Sequence, residues 1–154
     1  MAQVHYKPWE YDTFSGINVD KGSFSFTVRD HGIMKRQQKI PSKAADFYHY
    51  IQDTLDVQKV VCAYEAGPTG FHLYNYLSGL QITCYVTSAV SIPKPSNEEV
   101  KTNRLDSDRI VEYLMSAEFQ LIRVPEGPYL ELRHLVKTRE RNVSDRRDMT
   151  KTVF

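Results

Sequence analysis

At 154 residues, 41% of them hydrophobic and 25% charged, the chain has the size and make-up of one globular domain. No apolar run approaches the ~20 residues needed to span a bilayer, and the segment Met1 to Glu10 has no apolar stretch of signal-peptide type. A membrane protein is thereby excluded on this reading, and the cytoplasm is the expected location. The net charge of +1 does not by itself announce a nucleic-acid partner.

The elements are read in chain order. Residues 1–12, with Pro8 among mixed aromatic and charged residues, are expected to be a flexible lead-in. Phe14 to Asp20 reads as a strand, and Lys21-Gly22 as a turn. Ser23 to Arg29 alternates, with Phe24, Phe26 and Val28 on one face, and Ile33 to Ile40 is a third, more polar strand. Short Gly-containing turns between them predict an antiparallel meander. Pro41-Ser42 opens a helix with Ser42 as N-cap and Phe47, Ile51 and Leu55 as its buried stripe.

Lys59 to Tyr64 is a short apolar run, which fits a central strand buried on both faces. Pro68 suits the first position of a second helix, carrying Phe71, Tyr74 and Leu77 and ended by Gly79. Ile82 to Thr87 is a fifth strand, and Ser88 to Lys101 a proline-bearing loop. A third helix is expected from Thr102 to about Phe119, with Leu105, Val111, Leu114 and Met115 as its apolar positions. A short extended piece, Leu121 to Val124, leads to a last helix from Gly127-Pro128 onward. A meander turning into α/β alternation gives one mixed five-stranded sheet flanked by helices, the order of an RNase H-like (RuvC-like) α/β fold. Cys62 and Cys84 lie inside apolar runs with no CxxC spacing, and are expected to be buried, inert thiols.

Three segments bring acidic or amide residues toward one end of such a sheet. They are Gly16-Ile17-Asn18-Val19-Asp20-Lys21, then Tyr64-Glu65-Ala66-Gly67-Pro68-Thr69-Gly70, then Lys101-Thr102-Asn103-Arg104-Leu105-Asp106. Asn103 and Asp106, three apart on a helix, can face one point. Oxygen ligands in a fixed array are what Mg²⁺ requires, and two such ions can stabilise both oxygens of an in-line phosphoryl transfer. Lys101 and Arg104 beside the cluster are candidate phosphate contacts. From Arg133 to Lys151, seven Lys/Arg stand against three Asp/Glu. Arg133, Lys137, Arg139, Arg141, Arg146 and Arg147 are therefore candidate nucleic-acid contacts.

The YEAGPTG and KTNRLDS stretches resemble the second and third signature blocks of DEDD-type insertion-sequence transposases related to the Piv/MooV invertases. GINVDK resembles the first block, usually of the form GIDVxK. The Ser91–Pro95 loop and Val124-Pro125-Glu126 leading into Leu132–Val136 fit as well, so the resemblance covers roughly residues 14–142. It implies an N-terminal RuvC-like domain holding four acidic residues and Mg²⁺, a separate C-terminal domain supplying a nucleophilic serine, a guide (bridge) RNA, DNA substrates and a homo-oligomer in a prokaryotic cytoplasm, at the nucleoid. Carried over by position, the four catalytic and metal sites are Asn18, Glu65, Asn103 and Asp106. The domain plan it implies is a lead-in over 1–12, a RuvC-like domain over 13–125, and a basic helix over 126–154 that begins a linker to the serine domain.

Two of the four positions depart from the pattern. Asn18 and Asn103 keep a carbonyl oxygen but carry no charge, which halves the negative charge of the set and weakens its hold on a hard dication. Asp20, about 6.6 Å further along the strand face, and Asp108, about 140° round the helix from Asn103, are not clean replacements. Three readings stay open. The chain is the nucleic-acid-binding and metal-site domain of an RNA-guided DNA transposase or recombinase, inactive alone. Or it is a RuvC-like RNA- or DNA-binding module whose metal site has decayed. Or it is a stand-alone RuvC-like nuclease.

Overall fold

The structure, a computed structural model, describes residues 6–67, 69–93 and 102–152. Five strands form one sheet in the order β3-β2-β1-β4-β5: β1 Thr13–Val19, β2 Ser23–Asp30, β3 Ile33–Pro41, β4 Val60–Glu65 and β5 Thr83–Thr87. β1, β2 and β3 are the antiparallel meander, and β4 and β5 run parallel to β1. This mixed sheet between helices is the RNase H-like arrangement that the element order predicts.

Alternation along each strand sorts the side chains to two faces. One face carries Ile17, Phe26 and Tyr64, and helices α1 (Ala44–Thr54) and α2 (His72–Gly79) bury Phe47, Ile51, Leu73 and Leu77. There Phe26 meets Phe47 edge to face at 5.0 Å between centroids. The opposite face is covered by α3 (Asn103–Met115), whose Ile110, Val111 and Leu114 pack on Phe14, Val61 and Ala63. β4 is buried from Val60 to Tyr64, as a central strand should be. Cys62 and Cys84 are buried and unbridged, and burial pushes the Cys62 thiol up to about 12, which makes it inert.

The close approach of α3 to β1 depends on Gly16. A Cβ there would lie 2.4 Å from both the Ser107 carbonyl oxygen and the Val111 nitrogen. Only a residue without a side chain lets the helix backbone rest on the strand.

Several local expectations are corrected. Pro41 is still part of the β3 ladder, so the chain turns later than expected. Lys43, with no side-chain cap bond, takes the N-cap place expected for Ser42, and the Ser42 hydroxyl instead donates to the Lys21 carbonyl at 2.7 Å. α2 begins at His72 rather than at Pro68, which lies outside the described residues. α3 stops at Met115, where the Ser116 N–H and hydroxyl both turn back to the Tyr113 carbonyl. Leu105, expected on its apolar face, is 40% exposed, because the sheet-facing stripe runs through 107, 110, 111 and 114. The lead-in is not loose over its described part. Tyr6 stands edge-on to Tyr85 and Phe119 at 5.2 and 5.3 Å, and Pro8–Glu10 form a 3₁₀ turn.

Residues up to Ile122 make one compact unit and those from Arg123 a second. The second consists mainly of α4 (Pro128–Thr152). Its described side chains are exposed from Glu131 to Arg147, apolar Leu132 and Leu135 included. No helix among the described residues is long and apolar enough to cross a membrane.

Candidate active site

The sheet positions two of the four signature residues directly. Phe14, Gly16 and Asn18 alternate onto the α3 face of β1. The β1–β4 register pairs Phe14 with Val61 and Gly16 with Ala63, so Glu65 shares that face. The last pair is Ile17 with Tyr64. One step further along, Asn18 and Glu65 are neighbours at the carboxyl ends of two parallel strands. Both are half-buried.

α3 carries the other two. Ser107 and Val111 cross β1 at Gly16. Four residues of helix rise about 6 Å and two residues of strand advance about 6.6 Å, so Asn103 comes over the end of β1. The contact made there is to Asp20: the Asn103 side-chain N–H donates to the Asp20 carboxylate at 2.5 Å. Asp106, one turn along α3, is held by the Arg109 guanidinium at 3.5 Å, with each side chain only 16% exposed. Asp108 points elsewhere, to Arg29 at 2.7 Å on β2. That ion pair, the hydrogen bond above all, raises the Arg29 pKa.

The first turn of α3 is fixed by a closed ring of hydrogen bonds. Gln37 on β3 donates through Nε2 to the Thr27 hydroxyl at 3.1 Å and to the Arg104 carbonyl at 3.0 Å. Ser107 donates to the same carbonyl at 2.9 Å, and its oxygen lies 2.9 Å from that of Thr27. Thr27 and Ser107 are fully buried, and each has its hydroxyl satisfied by this ring. Thr102 completes the turn as N-cap, accepting from the Leu105 N–H at 3.2 Å.

Beside this turn lies an open polar groove of about 510 Å³, lined by Ser25, Gln37, Gln38, Lys39, Thr102, Asn103 and Arg104. Arg104 is exposed there, as a phosphate contact would need. Lys101 lies outside the described residues. Arg133, Lys137, Arg139, Arg141, Arg146 and Arg147 all lie on α4, in the second unit, and are exposed. Arg133, Lys137 and Arg141, spaced four apart, form one basic stripe along it.

A divalent cation is not well served by these side chains as they stand. The donors are hard oxygens, the right kind for Mg²⁺. Yet among the described residues no three acidic, histidine or cysteine groups come close enough to hold a metal. An oxygen of Asp20 is engaged by an amide, and one of Asp106 by a guanidinium. The set does not fit a two-metal centre.

Asp20 lies about 6.6 Å beyond Asn18 along the strand, so it does not take that residue's place. What the spacing could not show is that α3 delivers Asn103 to it. Arg109 carried a readable signal, an opposite charge three residues after Asp106 on one helix.

Comparison with known proteins bears on this geometry. Residues 15–153 match a family of transposases, the DEDD family of the IS110 type. A protein of Sinorhizobium fredii named as a transposase, y4qE, is 30% identical over 132 residues, covering 83% of this chain and 34% of its own. The transposase for insertion sequence element IS1533 of Leptospira borgpetersenii is 28% identical over 107 residues, covering 67% of this chain and 31% of its own. The chain thus spans about a third of the length of these relatives. A solved structure from Bacteroides thetaiotaomicron, of actin-like ATPase fold and unknown function, aligns over 49% of this chain and 32% of its own, with a TM-score of 0.42 and 11% identity. The family match takes in β1, β4 and α3, the three elements that meet at the candidate site, and the chain belongs to the IS110-type DEDD transposase family.

Proposed function

We propose that the chain acts as the N-terminal, nucleic-acid-binding domain of an RNA-guided DNA transposase related to the Piv/MooV invertases, engaging a guide RNA and DNA during strand cleavage and exchange. The observation that supports this most is the family match over residues 15–153, with the signature positions 18 and 65 side by side and 103 over the same strand end. The basic stripe of α4 supplies the charge that a phosphate backbone attracts. In this reading a homo-oligomer at the prokaryotic nucleoid completes the reaction, with the serine nucleophile contributed by a further domain.

DEDD transposases typically use a divalent metal. Asn18, Asn103 and the engaged oxygens of Asp20 and Asp106 favour a second reading within the same role: this chain contributes binding and alignment, and its own metal centre has decayed. The residues then act as follows. Lys39 and Arg104 hold phosphates in the groove, Gln37 and Thr27 fix the turn that carries Asn103, and α4 adds sequence-independent affinity.

The test is fluorescence anisotropy with a structured RNA and with duplex DNA across a KCl titration. Binding should weaken steeply with salt, and Arg139→Ala with Arg141→Ala should reduce the slope of log K against log salt by about 2. An absence of binding to either nucleic acid at low salt would defeat the proposal. Mg²⁺-dependent strand transfer by this chain alone would defeat the second reading.

A further inference from the structure

The bond between Asn103 and Asp20 joins two elements that are far apart in sequence, the end of β1 and the first turn of α3. Its chemistry has a direction. A carboxylate can only accept hydrogen bonds, and an amide can donate two. Asn103 therefore meets Asp20 without any third group between them. An aspartate at position 103 would present a second acceptor to the first, and two carboxylates at hydrogen-bond distance repel unless a proton or a cation lies between them. Asp106, the other signature position on α3, is likewise answered from within the chain, by Arg109 at 3.5 Å.

We propose that Asp20 is a positioning residue, which through the Asn103 amide fastens the first turn of α3 to the end of β1 without a bound cation. The amide does at this junction what a divalent ion does between two carboxylates. Asn103 is then the residue that makes the junction independent of metal, and Asp20 is its obligatory partner. The inference rests on this geometry alone and holds whether or not the chain belongs to an RNA-guided system.

The pair can be inverted to test it. Three variants of the full chain are compared with the unaltered protein: Asn103→Asp, Asp20→Asn, and both together. Melting temperatures are read in EDTA and in millimolar MgCl₂, with KCl holding ionic strength constant so that screening does not masquerade as binding. An acidic residue in the first turn of a helix is favourable in itself. The informative comparison is therefore between N103D and D20N/N103D, which share that residue. In EDTA, N103D should melt about 4 °C below the double variant, and Mg²⁺ should close that gap by binding the folded state of N103D. The unaltered protein and the double variant should show no such Mg²⁺ response.

Side-chain amide resonances give a second readout that overall stability does not move. The Asn103 NH₂ pair, identified by its loss in N103D, should shift on Asp20→Asn while the amides of the Gln37 ring stay in place. Equal melting of N103D and D20N/N103D in EDTA would overturn the proposal. So would a Mg²⁺ stabilisation of the unaltered protein as large as that of N103D, or an Asn103 amide indifferent to Asp20.

Discussion

The middle and the first turn of α3 rest on the same strand, one helical turn apart, and are held there by different physics. In the middle, shape decides. Gly16 leaves room for the helix backbone, and Val111, Ile110 and Leu114 fill the space around it with no exposure beyond 1%. In the first turn, direction decides. Gln37, Thr27 and Ser107 close a ring around the Arg104 carbonyl, and Asn103 reaches out to Asp20. Close packing fixes where the helix lies and tolerates few side chains. Hydrogen bonds fix which way its end faces, and there a change of one atom, amide for carboxylate, alters the chemistry without altering the fold.

The largest expected effect breaks the packed half. Gly16→Ala puts a methyl group against backbone atoms that cannot rotate away, so α3 must lift from β1. A loss of more than about 3 kcal/mol is expected, at the top of the overpacking range, and urea denaturation should show it as a much lower midpoint or as failure to fold. A midpoint within experimental error of the parent would mean that the helix does not rest on this glycine.

Next in size is a pH effect from the packed interior. Cys62 has its pKa raised by burial from 9.0 to about 12, and burial raises Tyr64 and Tyr85 in the same direction. A raised acid is favoured neutral in the fold, so its contribution is complete below the unfolded value and is lost as pH rises from about 9 toward 12. At pH 10.5 the Cys62 share is about 2 kcal/mol. The urea midpoint should therefore fall on this alkaline limb. Cys62→Ala should lower the midpoint at pH 8 but flatten the limb, and a limb as steep as the parent's would remove Cys62 from the account.

The smallest of the three sharpens the contrast at the polar end. Thr27→Val leaves the Ser107 and Gln37 side chains each a partner short, which costs about 1–2 kcal/mol. With Ser107→Ala added, the two losses should sum to less than their separate values by roughly 1 kcal/mol, as members of one network do. Strict additivity in the double-mutant cycle would show that the ring is a set of independent contacts.

Much of the fold was legible because it depends on local pattern. Alternation in β2, the apolar run of β4 and the Gly-containing turns placed all five strands to within a residue or two at each end. What could not be read was anything set by contact across the chain. Leu105 looked apolar and inward, but the sheet meets a different stripe of α3. Ser42 looked like a cap, but Pro41 kept the chain in β3. The signature positions were legible as a pattern, through their neighbours. Asp20 was not, because a strand's side-chain period gives only distances along one element, and its partner arrives from 83 residues away.

The polarity of β3 has a meaning that its place in the sheet supplies. β3 is an edge, and an edge offers a row of unpaired backbone groups to any strand that passes. Exposed Arg36 and Lys39 line it, the register slips at Val28/Arg29 where it meets β2, and it ends in a proline. Each of these discourages a sixth strand. On this side, the sheet is guarded against joining edge to edge with copies of itself.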